Sequence, residues 1–316
     1  MIATLVGRLL GLCHSLLLTV FALAASLKRP SRRNRNLWKK WQTLNLAYAG
    51  PGEPARKLLL PCSKLDMEGI YDACVVTWAM KTEIVSQMLP GGLELGPQDW
   101  TAPGLHPVLF TFGRQSNVRP NFVPVPGLFY EELIIAIPYV QWRDDRYAYR
   151  GPYVYPPRLY LDHLLPTLLG WIPGYPKRLA RIQAEEHTFR VSDLFRDQEV
   201  IRSRFSSKGE PRPMGDFPLF SATAAMLGQP ILGRAFLVGP FVGTFLNFEL
   251  ERALIQPVEC EMWIDRPFPR NLPAGSLRTP GIDEIPMGAF RFIVPWNVGP
   301  PFLPASPIAI HRDTTG

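Results

Sequence analysis

Tyr130 to Trp142 reads "YEELIIAIPYVQW", and on this stretch the fold turns. It is β-branched and aromatic, which suits a strand. Pro138 stands within it, where a helix interior would be broken. In a strand successive side chains alternate between faces. Glu132 therefore shares a face with Ile134 and Ala136, and Glu131 looks the other way. A carboxyl group on an apolar face needs a partner or a raised pKa, and either condition suits proton transfer. The simpler alternative is a rim glutamate at the start of the strand, in contact with water.

Working outward, further runs carry the same signature. "GIYDACVVTWAM" (residues 69–80) and "HPVLFTFGRQSN" (106–117) precede it, and "RLYLDHL" (158–164) and "AFRFIVPWNV" (289–298) follow, bounded by Pro, Gly or charge. "RLARIQAEEHTFRVSDL" (178–194) continues as strand pairs, whereas "KTEIVSQMLPGGLEL" (81–95) has helical spacing that stops at Pro90 and the Gly91–Gly92 pair. The chain holds 34 prolines in 316 residues, about twice the ~5% that is usual. Its apolar fraction of 47% is enough for a sizeable core. The expectation is a mainly β domain (α+β), mostly antiparallel, closed as a barrel or a cone-like sheet with a few short helices.

Four regions follow: residues 1–27 as a hydrophobic anchor, 28–64 as a basic juxtamembrane linker, 65–300 as the β domain and 301–316 as a tail. From Leu9 to Ser26 run 18 uncharged residues, near the lower end of the ~17 to 25 that span a bilayer. "ALAA", residues 22–25, also contains a signal-peptidase-like cleavage site, so a secretory signal competes with a retained anchor. Seven basic residues follow the apolar run, Lys28, Arg29, Arg32, Arg33, Arg35, Lys39 and Lys40, and only Arg8 precedes it. The positive-inside rule then leaves the C-terminal domain in the cytosol, a single-pass arrangement. The absence of an N-x-Ser/Thr acceptor and four scattered cysteines agree with that orientation. Much of the net charge of +7 sits in this one cluster, so it does not argue for a nucleic-acid partner. No phosphate-cradling glycine loop and no metal-ligand spacing occur, so neither cofactor nor metal is expected. His106, His163 and His187 are isolated and read as structural.

The apolar run "YLDHLLPTLLGWIP" (160–173) leads into "GYPKRLARI" (174–182), which brings a lysine up to a Gly-Tyr-Pro turn. A free lysine has a pKa near 10.4, so at neutral pH it is almost never the amine that attacks a carbonyl. Burial in an apolar pocket lowers that value by up to ~3 to 5 units. Arg178 next to Lys177 is the other source of a shift, but alternation turns it to the opposite face. Desolvation is thus expected to dominate, with Leu169, Trp171, Ile172 and Tyr175 as wall residues. The bland alternative is an exposed Pro-Lys-Arg corner.

The order "YEELIIAIPY", "YLDH", "GWIPGYPKRLARI", "ELERALIQPVECEMW" (249–263) and "FRFIVPWNV" resembles the acetoacetate decarboxylase family over roughly residues 65–298. The resemblance implies a cone-shaped antiparallel β-barrel, a Schiff base between Lys177 and a ketone substrate, and an active-site glutamate at Glu132. The family's charged Gly-Arg-Glu sequence before the lysine is replaced by Gly170, Trp171 and Ile172, and its early-strand arginine has no counterpart in "MEGIYDACVV". Arg114 and Arg119 in "FGRQSNVRP" are the substitutes for binding a substrate carboxylate, with Trp171 and Tyr175 as further substrate contacts. The implied activity is a carboxy-lyase acting on a small-molecule β-keto acid, larger and greasier than acetoacetate, of a polyketide-like kind found in secondary metabolism. A Schiff-base aldolase or dehydratase shares the lysine, and a noncatalytic barrel holding a lipophilic ligand is the class-different alternative. A homo-oligomer is left open.

Overall fold

The computed structural model describes residues 67–120, 127–144, 150–194, 198–217, 219–265, 272–279 and 288–298. The expected anchor, basic linker and tail lie outside them. Among the described residues fifteen strands form one sheet. The first group is β1 (Met67–Lys81), β2 (Leu93–Leu95), β3 (Leu105–Pro120), β4 (Leu128–Trp142) and β5 (Tyr153–Leu161). Next come β6 (Lys177–Ala184), β7 (Thr188–Asp193), β8 (Glu199–Ser207), β9 (Arg212–Pro213) and β10 (Ile231–Arg234). The last are β11 (Phe241–Thr244), β12 (Leu246–Phe248), β13 (Leu254–Ile264), β14 (Gly275–Thr279) and β15 (Ala289–Val298). Among the described residues three short α-helices interrupt them, α1 (Thr82–Ser86), α2 (Leu164–Trp171) and α3 (Phe220–Leu227).

The path β5-β6-β7-β8-β13-β15-β1-β3-β4 returns to β5, because β4 and β5 also pair, and so closes a nine-stranded barrel. Closure removes the exposed edges that a long open sheet would present. Phe112 on β3 meets Phe189 on β7 and Phe205 on β8 edge-on, each at 5.4 Å between ring centres, so these rings pack across the barrel interior. Leu133, Ile135 and Ile137 join them, buried in the same core. The opposite face of the β15-β1-β3-β4-β5 wall carries a second apolar layer, including Tyr71, Leu161, Phe290 and Trp296, packed under Met214, Phe217 and Met226. Strands with a core on each side explain why β1 and β4 read as nearly continuous apolar runs.

One local outcome differs from the sequence expectation, and a second was not anticipated by it. The helical spacing at 81–95 yields only five helical residues in α1, and β2 follows the glycine pair with Gly92 at φ +92°. The leucine-rich run after β5 becomes α2, because β5 and β6 are parallel. Parallel neighbours cannot be joined by a tight turn and need a crossover. His163 starts that helix: its Nδ1 accepts from the Leu165 N–H at 3.2 Å, and its carbonyl accepts from the Thr167 hydroxyl at 2.8 Å. Pro166 falls in the first turn, where a missing N–H costs no intrahelical bond.

Candidate active site

Lys177 is the first residue of β6, delivered by the turn that ends the α2 crossover. Gly174 sits in that turn at φ +90°, and a Cβ there would lie 1.9 Å from the backbone of Arg234. Only glycine can occupy the position. Lys177 pairs with Leu159 on β5, and Leu159 pairs with Ile134 on β4. Glu132 pairs with Leu161 on the same face, one two-residue step along. Alternation within three adjacent strands thus brings the lysine and the glutamate together on the face turned away from the barrel interior.

The lysine side chain runs under α2. Its Nζ donates to the Pro166 carbonyl at 3.3 Å. A Cβ on Gly170 would stand 2.2 Å from Lys177 Cδ and 2.5 Å from Cε, so this glycine leaves the channel in which the lysine lies. Trp171 holds the backbone from outside, its indole N–H donating to the Lys177 carbonyl at 2.9 Å. The residue keeps some surface exposure, but its amine is deep enough that burial is the strongest influence and lowers the pKa; the nearby Glu132 carboxylate acts in the opposite sense.

Glu132 is buried, with 3% of its surface exposed. Burial raises its pKa, and Lys177, then hydrogen bonding from Gln115, then the Tyr71 hydroxyl pull it back. Gln115 Nε2 donates to Glu132 Oε1 at 2.7 Å, while Trp296 Nε1 donates to Gln115 Oε1 at 2.7 Å. The tryptophan thereby fixes which end of the amide faces the carboxylate. Tyr71 lies beside Glu132 with its hydroxyl buried and without a hydrogen bond of good geometry, and its ring occupies space that a Cβ on Gly113 would enter at 2.1 Å. Burial disfavours the charged form of both the amine and the carboxyl, so each group is pushed towards neutrality and is held charged mainly by the other. Such a pair can attack a carbonyl and then move a proton.

Of the remaining expected residues, the two arginines are engaged away from the lysine, whereas Trp171 and Tyr175 adjoin it. Arg114 is on the opposite face of β3 from Gly113 and Gln115; its Nε lies 3.1 Å from Glu131 and its Nη2 donates to the Glu185 carbonyl at 2.9 Å. Arg119 is bound to Glu68 at 3.0 Å. Neither arginine is brought to the lysine. Trp171 is 38% exposed and contacts Lys177 through its backbone. Tyr175 packs into the apolar layer with its hydroxyl buried beside Thr244, where burial raises its pKa. Arg178 points away and pairs with Asp193 at 2.7 Å. Gln115 and Trp296 went unnoticed in the sequence, because only the long-range register of β3 with β4, which pairs Gly113 with Glu132, puts Gln115 on the face of Glu132. Among the described residues no group of three or more His, Cys, Asp or Glu converges to hold a metal ion. A surface groove lined by Thr188, Arg190, Arg202, Ser203, Arg204 and Trp263 lies on β7, β8 and β13, and neither a lysine nor a cysteine lines it.

The site lies on a closed barrel, where a lysine with a buried amine adjoins a buried glutamate, and comparisons with known proteins show the family to which this barrel belongs. The family model described as acetoacetate decarboxylase (ADC) matches residues 62–224, just over half of the chain. The chain belongs to the acetoacetate decarboxylase family. Among solved structures, it is similar to an acetoacetate decarboxylase-like enzyme from Sphingomonas wittichii RW1, at 15% identity and a TM-score of 0.51, covering 79% of this chain and 98% of that one. It is similar to acetoacetate decarboxylase from Legionella pneumophila subsp. pneumophila str. Philadelphia 1, at 15% identity and a TM-score of 0.51, covering 82% and 93%. It is also similar to the enduracididine biosynthesis enzyme MppR complexed with pyruvate, at 14% identity and a TM-score of 0.51, covering 81% and 96%. No curated protein sequence matches.

Proposed function

We propose that this chain is a Schiff-base-forming decarboxylase of a β-keto acid more apolar than acetoacetate, held at a membrane by Leu9–Ser26 with its barrel on the cytosolic side. The observation that carries the reading is the buried Lys177 amine, its pKa lowered by burial, within electrostatic reach of Glu132. The neutral amine adds to the substrate ketone, and loss of water gives a protonated imine. The bond to the carboxylate then breaks, carbon dioxide leaves, and its electron pair passes into the imine to form an enamine. Protonation of the enamine carbon by Glu132 and hydrolysis of the imine return the free lysine.

The surroundings support an apolar substrate. Arg114 and Arg119 are engaged with Glu131 and Glu68, and Leu165, Leu169 and Tyr175 pack against the apolar layer around the site. A substrate carboxylate stripped of water there gains most from leaving as carbon dioxide, a desolvation effect. That MppR, which shares the fold, is complexed with pyruvate supports a keto acid as the ligand. The same imine can serve aldol addition or dehydration, so the test is product analysis. The full chain, incubated with acetoacetate and with 3-oxo acids of increasing chain length, should release carbon dioxide and the methyl ketone, faster for the longer chains. Conversion of added aldehyde without carbon dioxide would assign aldolase chemistry. Ligand binding without any turnover would assign the noncatalytic reading.

A further inference from the structure

Six large apolar side chains are exposed in two segments that touch. Leu164, Leu168 and Trp171 lie at helical spacing on α2 and are 57, 40 and 38% exposed. Phe236, Leu237 and Val238, in the turn after β10, are 54, 39 and 81% exposed. The segments are joined: the Phe236 N–H donates to the Ile172 carbonyl at 3.3 Å, and the Arg234 N–H to the Gly174 carbonyl at 3.1 Å. Phe236 and Leu237 have φ of +52° and +68°, a left-handed conformation that is strained for bulky residues. Hydrogen bonds of Ala235 with Gly239 and Pro240, at 2.7 and 2.9 Å, hold the turn in that shape. Two strained residues thus carry exposed apolar side chains, with the exposed Arg234 beside them.

We infer that this patch docks on the surface of a lipid bilayer, with the three α2 residues and the three turn residues entering the headgroup boundary. Contiguous exposed apolar side chains on a soluble domain mark an interaction surface, and aromatic and aliphatic tips fringed by arginine match the interface of an anionic membrane. The occupant is indicated by the chain itself. The uncharged run Leu9–Ser26 and the seven basic residues behind it have the pattern of a membrane segment and its anionic-lipid contacts, so the inference rests on the membrane reading above. Residues 27–66 separate that run from β1, and at up to ~3.3 Å per residue they can reach any face of the barrel. Such a tether leaves the choice of face open, and the apolar patch makes it. Because α2 also covers Lys177, docking turns the covered side of the site towards the phase in which an apolar substrate dissolves.

The test uses the full chain in vesicles of phosphatidylcholine and phosphatidylserine (7:3) containing a diazirine-acyl phosphatidylcholine. After irradiation, lipid adducts are located by peptide mass spectrometry. Adducts are expected in residues 164–171 and 235–239 in addition to residues 9–26. The double variant Phe236→Asp/Val238→Asp changes only exposed side chains; it should lose adducts in the first two segments about tenfold and keep those in 9–26. Adducts confined to 9–26 would overturn the patch assignment while leaving the anchor in place. Protein–protein cross-links from the patch to a second copy, or to residues 9–26, formed when an amine-reactive diazirine cross-linker is added to the same vesicles, would overturn it in favour of those occupants. Absence of adducts in 9–26 would remove the anchor itself, and patch adducts that persist in the double variant would also refute the docking.

Discussion

At the scale of single residues, the unusual position is Gly170, inside a helix where alanine is ordinarily favoured by ~0.8 to 1.0 kcal/mol. Here the added methyl would overlap the Lys177 side chain at 2.2 Å. Gly170→Ala should therefore leave the unfolding midpoint near that of the parent and lower the rate of imine formation about a hundredfold, since small misplacements of a reacting group cost on that order. Glu132 allows a signed pH prediction. Its negative charge raises the pKa of Lys177 against the lowering caused by burial. Replacing it by a neutral amide removes the raising influence, so the acid limb of the imine-formation profile, which reports the lysine losing its proton, should move to lower pH in Glu132→Gln. Turnover should fall ~10²- to 10⁴-fold if the carboxyl supplies the enamine proton. A limb that stays in place would separate the two groups electrostatically. Lys177 and Glu132 could be singled out in the sequence by a Tyr-Pro-Lys corner and an alternating strand, which are local patterns, together with the family resemblance that gave them roles. Gln115 could not, since its orientation comes from Trp296, 181 residues away in sequence.

At the scale of elements, β1 and β15 are held by more than their ladder. Asp72 accepts from Arg291 Nε and Nη2 at 2.7 and 2.6 Å, and its carboxylate is almost fully buried. Both are on the interior side of the barrel wall, near Arg114 and Cys74, so paired charges fill this part of the interior. Breaking one partner of a buried pair costs ~3 to 5 kcal/mol, because the other charge is left without compensation. Asp72→Ala should lower the denaturant midpoint accordingly, and the double variant Asp72→Leu/Arg291→Leu should recover most of the loss. The strands themselves could be read from β-branched runs and their Pro and Gly boundaries. The α2 crossover could not, because a short leucine-rich run fits a buried strand or a helix equally well. Its choice was made by the parallel pairing of β5 with β6, a long-range contact.

At the scale of the whole molecule, nine strands close on themselves and leave two apolar layers, one inside the barrel and one beneath the segments that cover the wall. The site belongs to the second layer, where β4, β5 and β6 adjoin and α2 crosses over them. Among the described residues no helix is long and apolar enough to cross a membrane, and Leu9–Ser26 lies outside them. The barrel class was legible from strand count and proline content, whereas the closing pair β4 with β5 depends on register, which no local pattern encodes. The central claim is that Lys177 forms the imine. Borohydride reduction of the full chain in the presence of a 3-oxo acid or its ketone product, followed by peptide mass spectrometry, tests it directly. The account predicts one ligand-dependent mass addition on Lys177, lost in Lys177→Ala. A folded wild-type protein that gains no adduct across the panel, or gains it on another lysine, would contradict it.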